Sequence, residues 1–131
     1  MRTNKPLIAI VDDDESMREA IKGLMRSLGF DAETFSSAME FLSFPLLGNT
    51  ACLVTDVHMP GMSGIDLHRR LVAYGTSIPT VLITAFPDQN AQVRTLGADI
   101  ICCLTKPFEE QALVDCIRSA VAGSDDGESG S

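Results

Sequence analysis

Residues 52–60 read CLVTDVHMP. Small apolar residues run up to a single acid, Asp56, and the chain then turns through Met59, Pro60 and Gly61. A short apolar run closed by turn residues reads as a strand buried on both faces. Standing alone, Asp56 would be an ordinary turn residue. Its meaning depends on what the other strand ends carry.

Working outward, the same pattern recurs. Residues 7–11 (LIAIV) follow Pro6 as a second buried strand, and 80–85 and 100–104 are two more. Residues 30–35 alternate and predict a short strand. Between the strands, apolar residues step by three and four. Met17, Ala20, Ile21, Leu24, Met25 and Leu28 mark one helix face, closed by Gly29. Ser37 and Glu40 have the spacing of a capping box opening a short helix. Residues 64–74 predict a helix that stops at Gly75, 88–96 a weaker one, and Leu113, Cys116, Ile117, Ala120 and Val121 a last one. The expectation is an α/β chain: one doubly wound (βα)5 domain whose five-stranded parallel sheet has helices on both faces. The domain is expected over 1–122. The stretch 123–131, acidic and rich in Gly and Ser without an apolar residue, is expected to be disordered.

Bulk properties narrow the function. A chain of 131 residues can bury roughly two thirds of its unfolded surface without staples. The net charge is −8, of which Asp125, Asp126 and Glu128 carry three, leaving an acidic body. That argues against direct nucleic-acid binding, which needs a positive surface. No apolar run approaches the ~18 residues of a membrane span, and the start is no signal peptide. The expected place is the cytoplasm. Cys52, Cys102, Cys103 and Cys116 lack metal-site spacing and read as small buried hydrophobes in a reducing compartment.

In an open parallel sheet, chemistry collects at the carboxyl ends of the strands. Here those ends carry Asp12, Asp13 and Asp14; Asp56; Thr84; and Thr105-Lys106-Pro107. Converging carboxylates repel unless a cation sits among them. Oxygen-only ligands favour Mg²⁺ or Mn²⁺. A carboxylate beside such an ion can act as a nucleophile towards phosphorus, with Lys106 and Thr84 as partners for the developing charge. The bland alternatives are an acid cluster favoured by a helix dipole, with Asp14 as a cap, and a β-prone Thr84. His68 with Arg69 and Arg70 reads as a solvated helix face, and Met59 and Met62 as loop packing.

The segments IVDDDESMR, LVTDVHMPGMSGIDL, VLITAF and LTKPF occur in this order across residues 7–121. Together they resemble the receiver domain of two-component response regulators, a flavodoxin-like fold. The resemblance implies sheet order 2-1-3-4-5. It implies that Asp56 is the phosphoacceptor and, with Asp13, a metal ligand. Asp12 would hold the Mg²⁺ through water and His58 through its backbone carbonyl. Lys106 would pair with the phosphoryl group, Thr84 would move towards it, and the Lys106–Pro107 bond would be cis, an isomer that proline makes accessible. The implied partners are a sensor histidine kinase or phosphotransfer protein and an output protein that the sequence does not name. The His58 side chain, two residues after Asp56, is expected to face solvent and to govern water access.

The chain also departs from the family pattern. Cys103 stands where an aromatic residue is usual, three residues before the lysine, and Gly97-Ala98 comes two residues early. No output domain is expected within these residues, whether the chain is a stand-alone regulator or a fragment. Two other classes compete. An aspartyl phosphatase would need an acid where His58 stands, and a flavin carrier would need a phosphate-cradling loop after the first strand. A receiver-like protein-binding module that takes no phosphoryl group is the remaining alternative.

Overall fold

The computed structural model describes residues 5–86, 97 and 99–129. Strands β1 (Leu7–Val11), β2 (Asp31–Phe35), β3 (Thr50–Asp56), β4 (Thr80–Thr84) and β5 (Ile100–Thr105) form one parallel sheet in the order β2-β1-β3-β4-β5. The described helices are α1 (Glu15–Ser27), α2 (Ala38–Leu42), α3 (Gly64–Ala73) and α4 (Glu110–Ser129), with a 3-10 turn at Leu47–Asn49. The expected fold class holds. The helix expected over 88–96 lies outside the described residues.

The central strands β1, β3 and β4 are buried on both faces because each is apolar on both. Ile8, Ile10, Cys52, Val54, Val81 and Ile83 face α1 and α4 and meet Ile21, Met25, Leu113 and Ile117. Ala9, Val11 and Leu53 face the other way, towards Phe41 of α2 and Leu67 and Leu71 of α3. Each such fully buried side chain contributes roughly 1.5–3 kcal/mol relative to exposure. These two layers fix the strand ends rigidly, and the rigid ends position the site.

Local chemistry sets where the helices begin. The Asp14 carboxylate caps α1 by accepting from the N–H groups of Ser16 and Met17. At α2 the expected box is only half built. Ser37 Oγ accepts from Glu40 N–H at 3.2 Å, but the Glu40 carboxylate takes the N–H and hydroxyl of Ser36 instead. A full reciprocal box forms at α3, between Ser63 and Asp66, which the Glu/Gln version of the motif does not flag. Gly64 opens that helix against the end of β3. A Cβ there would collide with the Asp56 backbone carbonyl, so the approach requires glycine.

Three expectations need correction. The last helix does not end near Val121: its backbone stays helical to Ser129. Extending an existing helix adds one backbone hydrogen bond per residue. The cysteines are not all thiols, because Cys102 and Cys116 form a disulfide with their Cα atoms 6.2 Å apart. Strand β5 and α4 pack side by side, and that proximity is invisible in a spacing of 14 residues. His68 is not solvated. It is 2% exposed, and its Nε2 lies 2.9 Å from Asp99 Oδ1. Arg69 and Arg70 are exposed as expected.

Candidate functional site

The carboxyl edge of the sheet gathers the residues that the strand ends predict. Asp12 follows β1, Asp56 ends β3, Thr84 ends β4 and Lys106 follows β5. Their strands are neighbours in the order β1-β3-β4-β5, so four separate segments meet within one edge.

Asp56 is 6% exposed and has both carboxylate oxygens engaged. Oδ1 accepts from the His58 N–H at 3.0 Å, and Oδ2 accepts from Lys106 Nζ at 2.9 Å. Lys106 Nζ also lies 4.0 Å from Asp12 Oδ2. Burial works to lower the Lys106 ammonium. The hydrogen bond and charge of Asp56, with Asp12 and Asp14, outweigh it and hold the ammonium above its ordinary value. The Lys106–Pro107 peptide is cis, as expected.

Asp12 is 2% exposed. Its Oδ1 accepts from the Asp14 N–H at 2.9 Å, while its buried Oδ2 has no hydrogen-bond partner. Burial is the chief cause that lifts its carboxyl above the usual range, with the charges of Asp56 and Asp13 adding to it. Asp12, Asp13 and Asp56 each offer an oxygen, and the three oxygens lie within 4.8 Å of one another. A buried carboxylate oxygen that makes no hydrogen bond, beside two further carboxylates, fits a hard divalent cation such as Mg²⁺ or Mn²⁺.

Thr84 reaches the edge, but its hydroxyl is turned to its own chain. It accepts from the Phe86 N–H at 3.0 Å and donates to the Phe86 carbonyl at 3.3 Å. His58 is exposed, as expected, and its ring stands edge-on to Phe86 with centroids 4.8 Å apart. Sequence reading passed over Phe86 and Arg18. The Arg18 guanidinium donates to the Asp12 carbonyl at 2.8 Å from one turn into α1. Only its place six residues after Asp12 could have flagged it.

A doubly wound parallel sheet with three acids and a lysine at its carboxyl edge defines a receiver-type architecture. The chain belongs to the response regulator receiver domain family, whose model matches residues 8–118. It is 41% identical to the response regulator StyR, whose structure superposes with a TM-score of 0.82 over 97% of this chain and 64% of StyR. The FixJ-N structure is 32% identical, with a TM-score of 0.80 over 92% of this chain and 96% of that one. The response regulator protein TodT of Pseudomonas putida is 39% identical over 121 residues, which is 92% of this chain and 53% of TodT. The chain thus spans about half the length of relatives such as TodT. Receiver domains are signalling domains rather than classical enzymes. Among the described residues, no helix is long and apolar enough to cross a membrane.

Proposed function

We propose that this chain accepts a phosphoryl group on Asp56 from a phosphohistidine of a sensor histidine kinase or phosphotransfer protein. The observation that carries the reading is the pairing of Asp56 with Lys106 at 2.9 Å, beside an Asp12 oxygen that makes no hydrogen bond. An Asp56 oxygen attacks phosphorus, the bond from phosphorus to the donor nitrogen breaks, and the donor imidazole leaves with its electron pair. Lys106 orients the Asp56 carboxylate before transfer and ion-pairs with a phosphoryl oxygen after it. Thr84 exchanges its Phe86 contacts for a hydrogen bond to the same group. Asp13 and Asp56, Asp12 through water and the His58 carbonyl would hold Mg²⁺, which when bound neutralises phosphoryl charge.

The exposed His58 ring and Phe86 flank the entry of water, and so govern hydrolysis of the acyl phosphate. The chain acts in the cytoplasm. The rearranged edge then changes which output protein is bound. One feature favours a second reading, a binding module indifferent to phosphate: Cys103 occupies the position of the family's switching aromatic.

Intact mass after incubation with acetyl phosphate separates the two. A Mg²⁺-dependent gain of one phosphoryl group, absent in Asp56→Ala, is the expected result. No gain in the wild-type chain would leave the binding module.

A further inference from the structure

We propose that Cys102 and Cys116 are a reversible thiol–disulfide couple that sets how firmly Lys106 is held against Asp56. The inference rests on the proposed phosphoacceptor role and on the proposed cytoplasmic setting. In a reducing compartment, structural disulfides are rare and those that form are commonly redox-sensing.

The position of the bond gives it this reach. It joins β5 to α4 and closes a loop of chain 14 residues apart. Within that loop lie Lys106, Pro107, Phe108 and the first turn of α4. The only catalytic group proposed from the β5 end is therefore inside the covalent ring. The same loop forms one wall of a cleft of about 500 Å³ against α1, where Lys106, Phe108 and Leu113 face Met17 and Leu24. A cross-link restricts the arrangements open to the chain it encloses. Oxidation ties the middle of β5 to the second turn of α4, and Lys106, 2.9 Å from Asp56, lies in the segment between them. Reduction frees that segment.

The other cysteines do not compete for the bond. Cys52 is fully buried in the sheet, and burial pushes its thiol up to about 12, so it stays protonated. Cys103 packs on the opposite face of β5, with Val57 and Leu82. Cys102 is only half-buried, whereas Cys116 is 7% exposed. The oxidant is a low-molecular-weight disulfide such as oxidised glutathione. The Cys102 thiolate attacks one of its sulfurs and expels a thiolate, giving a mixed disulfide. The Cys116 thiolate then attacks the Cys102 sulfur and expels the second. Two protein thiols become one disulfide, the donor is reduced to two thiols, and the two protons pass to the departing thiolates.

The test equilibrates the full chain in glutathione buffers of graded redox poise, then traps thiols by alkylation and counts them by intact mass. Phosphorylation by acetyl phosphate with Mg²⁺ is followed on the same samples. The expected result is a reversible two-thiol change at Cys102 and Cys116, with the reduced chain phosphorylated about three- to tenfold more slowly. Cys116→Ser should show the slow rate at every poise, and Cys103→Ser should keep the wild-type response. Because reduction of the wild-type chain needs no substitution, a poorly folding variant does not blunt the test. Four thiols persisting in oxidised glutathione would overturn the proposal, as would equal rates in the two forms. If neither form is phosphorylated, the phosphoacceptor reading fails, and amide exchange over 105–113 decides the couple. Slower exchange in the oxidised chain supports it, and equal exchange overturns it.

Discussion

Strand β5 is fastened by a charged side chain at each end. Just before it, Asp99 meets the His68 imidazole of α3 at 2.9 Å. Just after it, Lys106 meets Asp56 of β3 at the same distance. Each neighbourhood also holds one buried polar atom that lacks a hydrogen-bond partner among the described residues, Nδ1 of His68 and Oδ2 of Asp12. The two orphans differ in kind. A ring nitrogen left without a hydrogen bond costs about 1–3 kcal/mol, which packing around α3 can offset. A buried carboxylate oxygen belongs to a charge, and a charge costs more unless a cation joins it. Equal geometry thus marks a structural clasp at one end of β5 and a binding site at the other.

Two substitutions should pull these roles apart. Lys106→Met is expected to slow Mg²⁺-dependent phosphorylation by acetyl phosphate on the order of 100-fold, the scale for loss of one preorganised charge partner. Its fold should survive, because Lys106 is partly exposed. His68→Ala should do the reverse. It leaves Asp99 unpaired and opens a cavity under α3, at a loss of about 2 kcal/mol in a urea titration. Its phosphorylation rate should stay within about twofold of the wild-type chain. A His68→Ala rate as low as that of Lys106→Met would dissolve the distinction between clasp and site.

How much of this was legible follows from which interactions are local. Apolar runs ending in Asp12, Asp56, Thr84 and Lys106 were enough to place all four at one edge, because strand ends are a property of pattern, while the sheet order followed from the family resemblance. The His68–Asp99 pair joins residues 31 apart. His68 carries no mark of burial, since a histidine beside two exposed arginines fits a wet helix face equally well. The Cys102–Cys116 bond was missed for a similar reason, as it depends on how α4 lies across β5. The Thr84 hydroxyl accepts from the Phe86 N–H two residues on, a local partner that the strand pattern does not show. Strand patterns reveal where a residue sits, whereas its hydrogen-bond partner depends on packing.

Asp12→Asn tests the orphan at the binding end. Burial, the largest influence, raises the Asp12 carboxyl above its ordinary 3.8. The contribution of a carboxyl raised in this way is fully present below 3.8 and is lost as pH rises through the folded value. At neutral pH, without metal, the ionised group is therefore a net cost. Asp12→Asn should raise the metal-free melting temperature by a few degrees. Added Mg²⁺ should stabilise the wild-type chain, by about 2.7 kcal/mol at 100 times Kd, and stabilise the variant far less. A metal-free variant less stable than the wild-type chain would mean that Lys106 already neutralises Asp12 and that the orphan oxygen carries no penalty.

The smallest effect belongs to a carboxylate with no orphan and no burial. Glu40 is held below its ordinary 4.5 by the Ser36 N–H, then by the Ser36 hydroxyl and by the charge of Arg18. A carboxyl lowered in this way stabilises the fold above 4.5 and loses that contribution as pH falls through the folded value. Glu40→Gln should therefore be slightly less stable than the wild-type chain at neutral pH, and the two should converge well below 4.5. Solvent screens the exposed pair, so the neutral-pH gap should also shrink as salt is added. Parallel melting curves from acid to neutral pH are the measurement. A gap that persisted in acid would mean that the shape of the side chain, rather than its charge, holds the start of α2. Exposed hydrogen bonds would then resemble the His68 clasp more closely than the Lys106 site.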